Sequence, residues 1–215
     1  MTQDTPLTVR RLQREELVNA ARLVGRSMSD NPTNVRAFGM QDRKHRSLAL
    51  ARFFVPILQG LYLRGSILGT FANGTLVGVC AMARPGLCQP AFQEKLKVLP
   101  AVVRGNSLGT PLRVLRWVGE WARRDPQESH WHLGPVAVDP HQQGQGIGTA
   151  MLRAFCAIVD DHRSLSYLET DKSENVRFYQ KFGFRVVARA EVLGVANWFM
   201  SRPGDGSQAE GSQIA

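Results

Sequence analysis

The residues whose types and spacing could do chemistry begin with three glycines. Gly144, Gly146 and Gly148 stand at alternate positions behind Gln142 and Gln143. Glycines so spaced let the backbone turn sharply and bring its N–H groups up to a ligand with no Cβ in the way. Behind them Ile147, Met151, Phe155, Ile158 and Val159 fall on one face of a helix. A helix N-terminus carries free N–H groups and a partial positive charge, which attract anions. Gln143 to Thr149 therefore reads as a seat for a phosphate or pyrophosphate. Two well-known phosphate loops do not fit it. A P-loop needs Lys and then Ser or Thr after its last glycine, and Gly148 is followed by Thr149 and Ala150. A dinucleotide fingerprint needs a glycine three residues after Gly146, where Thr149 stands.

The elements around the loop must hold it in place. His130 to Val138 reads as a strand, stopped by Asp139-Pro140. Gly134-Pro135 inside it is unusual for a central strand, because Pro removes a ladder hydrogen bond, so a local bulge is expected. After the glycine-loop helix come a strand from Leu165 to Glu169 and a loop from Thr170 to Glu174. Asp171 or Ser173 is placed to cap a short helix from Asn175 to Phe182, which Gly183 ends. Strands over Phe184–Glu191 and Val195–Arg202 follow.

Two motifs in this half resemble those of the GNAT superfamily of acyl-CoA N-acyltransferases. The glycine loop resembles its motif A, written Arg or Gln, two residues, Gly, one residue, Gly or Ala, with Gln142 or Gln143 at its head. Asn175-x-x-Phe178-Tyr179-x-Lys181-x-Gly183-Phe184 resembles motif B, at the family's distance and with one strand between. The resemblance runs from Leu7 to about Arg202. It implies an α/β (α+β) fold with a mixed central sheet of six to seven strands, splayed in the middle and flanked by helices. It implies acetyl-CoA as co-substrate and direct transfer of the acetyl group to a primary amine, with no metal. The pyrophosphate would lie on Gln143, Gly144, Gln145, Gly146, Ile147, Gly148 and Thr149. The pantetheine arm would lie along Val136, Ala137 and Val138, with Asn175 and Phe178 beside it.

The chemistry so implied has three needs. A base must take a proton from the amine. A donor must meet the oxyanion, and the backbone N–H of Val136 or Val138 could supply it. The departing thiolate needs a proton or a hydrogen bond, for which Tyr179 matches the family's motif B tyrosine. Glu169, at the end of its strand, and His132, two residues before Gly134, are the candidate bases, and Asp171 is a third. Many members of the family rely instead on a water chain. Two other functions remain open: a non-catalytic acyl-CoA-binding module on the same fold, and an acetyltransferase associated with RNA or the ribosome.

The first half of the chain supplies framework. Leu7 to Leu12 alternates as a half-buried strand, and a helix follows with Leu17, Ala20, Ala21, Leu23 and Val24 on its apolar side. Asp30-Asn31-Pro32 breaks that helix. A second helical stretch from Arg43 to Tyr62 contains Pro56, which predicts a kink or two shorter helices. Ser66–Ala72, Asn73-Gly74 and Thr75–Met82 form a hairpin with a type I′ turn. Gln89 to Pro126 reads as a helical insertion of two helices whose Trp and Arg content suits a substrate wall.

Composition bounds the rest. In 215 residues, 43% of them hydrophobic, the chain is long enough for a sizeable core, taken as one domain over 1–202 with the insertion at 89–126. Residues 203–215, rich in Gly, Ser and Gln, read as a disordered tail. No apolar run is long enough for a bilayer and the N-terminus is polar, so a cytoplasmic protein without membrane contact is expected. Cys80, Cys88 and Cys156 lack metal-ligand spacing and read as buried or free thiols. The net charge of +9 comes from scattered Arg, which argues against nucleic acid as the partner. A small-molecule or peptide amine is the acceptor implied by the resemblance, which also allows a homodimer.

Overall fold

The structure, a computed structural model, describes residues 6–39, 42–104 and 106–204. The tail expected over 203–215 lies outside the described residues from 205 onward. Among the described residues, seven strands form one sheet: β1 (Leu7–Arg11), β2 (Gly65–Ala72), β3 (Thr75–Ala83), β4 (His130–Val138), β5 (Leu165–Thr170), β6 (Arg185–Val192) and β7 (Val195–Arg202). Their order is β1-β2-β3-β4-β5-β7-β6, so strands from both ends of the chain share the sheet. All neighbours are antiparallel except β4 and β5. The β2–β3 hairpin turns at Asn73 and Gly74, whose φ values of 49° and 74° are the two positive values a type I′ turn requires.

Among the described residues, seven α-helices cover the two faces. On one side lie α1 (Leu17–Ser27), α2 (Pro32–Phe38), α3 (Arg43–Arg64), α4 (Phe92–Val103) and α5 (Thr110–Ala122). On the other lie α6 (Ile147–Asp161) and α7 (Ser173–Gln180). Two apolar cores result. Leu23, Val24, Leu50, Phe53 and Leu58 fill the first, under α1 and α3. Ile147, Met151, Phe155, Phe184 and Met200 fill the second, under α6.

The structure refines two helical expectations and corrects a third. α3 continues unbroken through Pro56, so the chain does not form two shorter helices there. Buried Phe53 and Phe54 before the proline and Leu58 and Leu61 after it hold both halves to the same core. Asn31-Pro32 ends α1 but also starts α2. Pro32 occupies a first-turn position, where a missing N–H costs nothing, and Gly39 ends the helix at φ 62°. Finally, neither Asp171 nor Ser173 caps α7, whose N-cap position is Lys172. Asp171 Oδ2 instead accepts the Thr33 N–H at 2.7 Å, so it caps α2 from across the fold.

Candidate active site

The site forms where the centre of the sheet opens. β4 pairs with β5 only from His130 to His132, opposite Leu165 to Tyr167. Beyond that point β4 stays with β3, while Leu168 to Thr170 of β5 stay with β7. The two strands therefore part into a V. At the same place β4 carries an extra residue: Met82 faces Leu133 and Cys80 faces Val136, two steps on β3 against three on β4. The expected bulge thus lies at Gly134-Pro135, a cis peptide. It also changes which face each side chain meets, as a one-residue slip must. Trp131 and Leu133 before it, and Val136 and Val138 after it, all pack toward α6.

The backbone of β4 presents donors to the opening. The Asp139 N–H bonds Val77 O of β3 at 2.9 Å. Successive residues of a strand point their N–H groups to opposite sides. Ala137 therefore also faces β3, and the N–H groups of Val136 and Val138 face the gap. The Ala137 side chain is 2% exposed and lies in the α1–α3 core. The side chain and the N–H of Ala137 are therefore both directed away from the gap.

The glycine loop closes one end of the V. Gly144 and Gly146 both have φ 80°, a conformation that favours glycine. Gly146 is the N-cap of α6, so the first N–H groups of that helix have no partner within it. Asp139 anchors the loop from behind. Its carboxylate accepts from Arg26 of α1 at 2.8 Å and from the His141 N–H at 3.1 Å. A Cβ on Gly148 would come within 3.2 Å of the Phe178 ring, so α6 and α7 meet closely there.

A cavity of about 760 Å³ runs from this loop through the V to the insertion. Gln143, Gly144, Gly146, Ile147, Gly148, Thr149, Val136, Val138, Asn175, Phe178, Tyr179, Glu169 and His132 all line it. Of the expected site residues, only Ala137 and Gln145 do not, and the Gln145 side chain is exposed. Asn175 Nδ2 donates to Thr170 Oγ1 at 3.2 Å, which ties α7 to the end of β5. Tyr179 is 8% exposed and packs edge-on against Phe184 at 5.9 Å, with Phe178 at 5.5 Å. Burial raises its pKa, with a smaller contribution from the Cys80 thiol, so the phenol is neutral. Burial likewise pushes Cys80 up to about 12, which makes it an inert core thiol.

Two candidate bases meet. His132 Nε2 lies 3.1 Å from Glu169 Oε2. Burial of the His132 ring opposes its charge, but the carboxylates of Glu169 and Asp125 outweigh it and raise the pKa. Asp171, the third candidate, also lines the cavity, but its two oxygens accept from Thr33 and Asn31.

The insertion supplies the far wall through Trp117, Val118 and Trp121. The two indoles meet edge-on at 5.2 Å, and Trp121 Nε1 donates to Asn197 Oδ1 at 3.1 Å. Its arginines do not join them there. Arg113 bonds Ala37 O, and Arg123 and Arg124 pair with Glu120. Cys88 was read from sequence only as a buried or free thiol, and Asp125 and His130 were not singled out, yet all three gather beside His132. The one local signal was His130-x-His132, which puts two imidazoles on one face of a strand. Cys88 and Asp125 come from other segments, and no spacing could have joined them.

Comparison with known proteins agrees with this geometry. Residues 113–186 match the family model described as "Acetyltransferase (GNAT) domain". That span includes β4, the glycine loop, α6, β5 and α7. Among solved structures, a histone acetyltransferase HPA2 and related acetyltransferase from Corynebacterium glutamicum aligns with a TM-score of 0.69 at 19% identity, covering 92% of this chain and 96% of that one. The PaiA N-acetyltransferase of Thermoplasma acidophilum, in complex with coenzyme A, aligns at 0.57 and 15%, covering 92% and 99%. An agmatine N-acetyltransferase aligns at 0.58 and 14%, covering 92% and 99%.

Proposed function

We propose that the chain, whose residues 113–186 match a GNAT acetyltransferase domain and whose fold matches that of solved acetyltransferases, is an acetyl-CoA-dependent N-acetyltransferase acting on a primary amine. One observation carries the reading. The β4–β5 ladder stops at His132 and Tyr167, and the gap it leaves leads from a glycine-bounded helix N-terminus to a buried phenol. The donor set fits CoA. Gly144 and Gly146 leave the loop backbone open to a pyrophosphate, and the N–H groups of Val136 and Val138 face the gap a pantetheine arm would fill. When bound, acetyl-CoA supplies an activated acyl group and a thiolate leaving group.

The chain's own residues then divide the work. Trp117 and Trp121 form an aromatic wall for the acceptor. The Glu169 carboxylate, oriented by His132 Nε2, takes the proton of the attacking amine. A β4 N–H meets the developing oxyanion. Tyr179 serves the thiolate, and its raised pKa defines how. A thiol has a pKa of about 8.5 and an ordinary phenol about 10, so full proton transfer from a still weaker acid is uphill. Tyr179 therefore acts as a hydrogen-bond donor to sulfur, a narrower role than general acid.

Calorimetric titration with CoA tests the cofactor half of the reading. The parent chain binds, and Gly146→Ala binds about 5- to 30-fold more weakly, because a side chain in the left-handed region costs roughly 1–2 kcal/mol. Failure of the parent chain to bind CoA removes the proposal.

A further inference from the structure

Three segments converge beside the cleft. Cys88 follows β3, Asp125 follows α5, and His130 and His132 lie on β4. One donor atom of each lies within 4.8 Å of the other three. Asp125 Oδ1 is 3.3 Å from His130 Nε2 and 3.3 Å from His132 Nδ1. Cys88 Sγ is 3.2 Å from Asp125 Oδ2. All three of Asp125 Oδ1, His130 Nε2 and His132 Nδ1 are buried, and none makes a hydrogen bond. His130 as a whole is 2% exposed. Buried polar atoms left in this way are costly and rare.

The outer nitrogens define the tautomers. His130 Nδ1 lies 2.8 Å from Glu128 O, and His132 Nε2 lies 3.1 Å from Glu169 Oε2. A carbonyl and a carboxylate only accept, so each of those nitrogens carries the hydrogen. With only those hydrogens on the rings, the inner nitrogens turn lone pairs toward Asp125 Oδ1, and three electron-rich atoms face one another. One proton does not resolve this. It could serve only one of the two rings, and a charge-assisted N–H···O⁻ bond is about 2.7–2.9 Å long, shorter than either contact. A metal ion does resolve it. With bonds of about 2.0–2.1 Å, the donor–donor edge of a tetrahedral site is about 3.3–3.4 Å, which matches both separations.

We propose that Cys88, Asp125, His130 and His132 bind one divalent transition-metal ion of the zinc type. A thiolate with two imidazoles suits such an ion, whereas Mg²⁺ and Ca²⁺ favour oxygen ligands alone. Glu128 O and Glu169 stand where metal-bound histidines find their outer partners. The ion ties the segment after β3 and the end of α5 to β4, and it keeps the His132 Nε2–H directed at Glu169. The site stands whether or not the chain transfers acetyl groups.

Cobalt provides the test. The full chain is stripped with a chelator and titrated with Co²⁺, while the visible bands of tetrahedral cobalt and the thiolate charge-transfer band are followed. The expected result is saturation at one ion per chain and displacement of cobalt by Zn²⁺. Cys88→Ser, a one-atom change at a half-buried position, removes the charge-transfer band. It also weakens binding by at least about tenfold, the loss that even an outer partner of a metal-bound ring can cause. Circular dichroism checks that this variant folds. Either of two results overturns the proposal: a cobalt spectrum that stays that of the hydrated ion, or Cys88→Ser binding as the parent does.

Discussion

Replacing Tyr179 by Phe removes one oxygen from a ring that is 8% exposed and held by Phe178 and Phe184. The ring keeps its place, because no described group hydrogen-bonds its hydroxyl and the aromatic contacts survive. The folded chain therefore loses no internal bond, and the thermal midpoint holds or rises. The reaction loses a hydrogen bond to a charged sulfur. Such bonds contribute about 1.5–3 kcal/mol, which corresponds to about a 10- to 150-fold fall in kcat. The KM for acetyl-CoA is expected to stay the same, since the bond forms only as the thiolate develops. The assay is release of free thiol at saturating acetyl-CoA and amine, run beside a melting curve. Unchanged turnover refutes the role of Tyr179. A fall in turnover that tracks a fall in melting temperature refutes the argument that the residue acts on chemistry and not on packing.

Three other outcomes follow from the geometry. Gly25→Ala places a Cβ 2.5 Å from Ser47 O and 2.8 Å from Ala51 N, so α1 and α3 must separate; a loss of about 1–3 kcal/mol is expected in denaturant melts. Trp121→Ala removes half of the indole wall and leaves Asn197 Oδ1 without its donor, so KM for the amine should rise about tenfold, the equivalent of roughly 1.4 kcal/mol, with KM for acetyl-CoA unchanged in steady-state kinetics. The Arg10 guanidinium and the Gln13 N–H hold Glu16 down at about 2 from its ordinary 4.5. A lowered folded-state pKa stabilises above the unfolded value and the benefit is lost as pH falls through the folded one. Glu16→Gln should therefore melt slightly below the parent at neutral pH, and the difference should close between pH 4.5 and about 2.

Much of the fold was legible because its signals are local. The Asn73-Gly74 turn, the glycines before α6 and the alternation of β1 each specify their own geometry over a few residues. Pro135 marked the bulge for the same reason, since a missing N–H must interrupt a ladder wherever it falls. Pro32 and Pro56 were harder because proline has two meanings. At Pro32 it starts a helix, and at Pro56 tertiary burial on both sides carries the helix past it. The site was legible where it rests on a motif and hidden where it rests on convergence. His132 and Glu169 are 37 residues apart and meet only because β4 and β5 run parallel, and Asp171 was drawn away from α7 by Thr33, far back in the chain. The net charge of the whole chain likewise gave no view of the cavity, whose far wall is aromatic and whose lining includes the carboxylates of Asp125, Glu169, Asp171 and Glu174.

The central claim is that an amine takes the acetyl group directly inside this cleft. The most direct measurement incubates the chain with acetyl-CoA labelled in the acetyl group and a panel of small and peptide amines. Free thiol and labelled amine are followed together. The account predicts thiol release that depends on the amine, one labelled N-acetyl product per thiol, and no label left on the protein. CoA binding with no amine-dependent release across the panel contradicts it, and marks the cleft as a binding module.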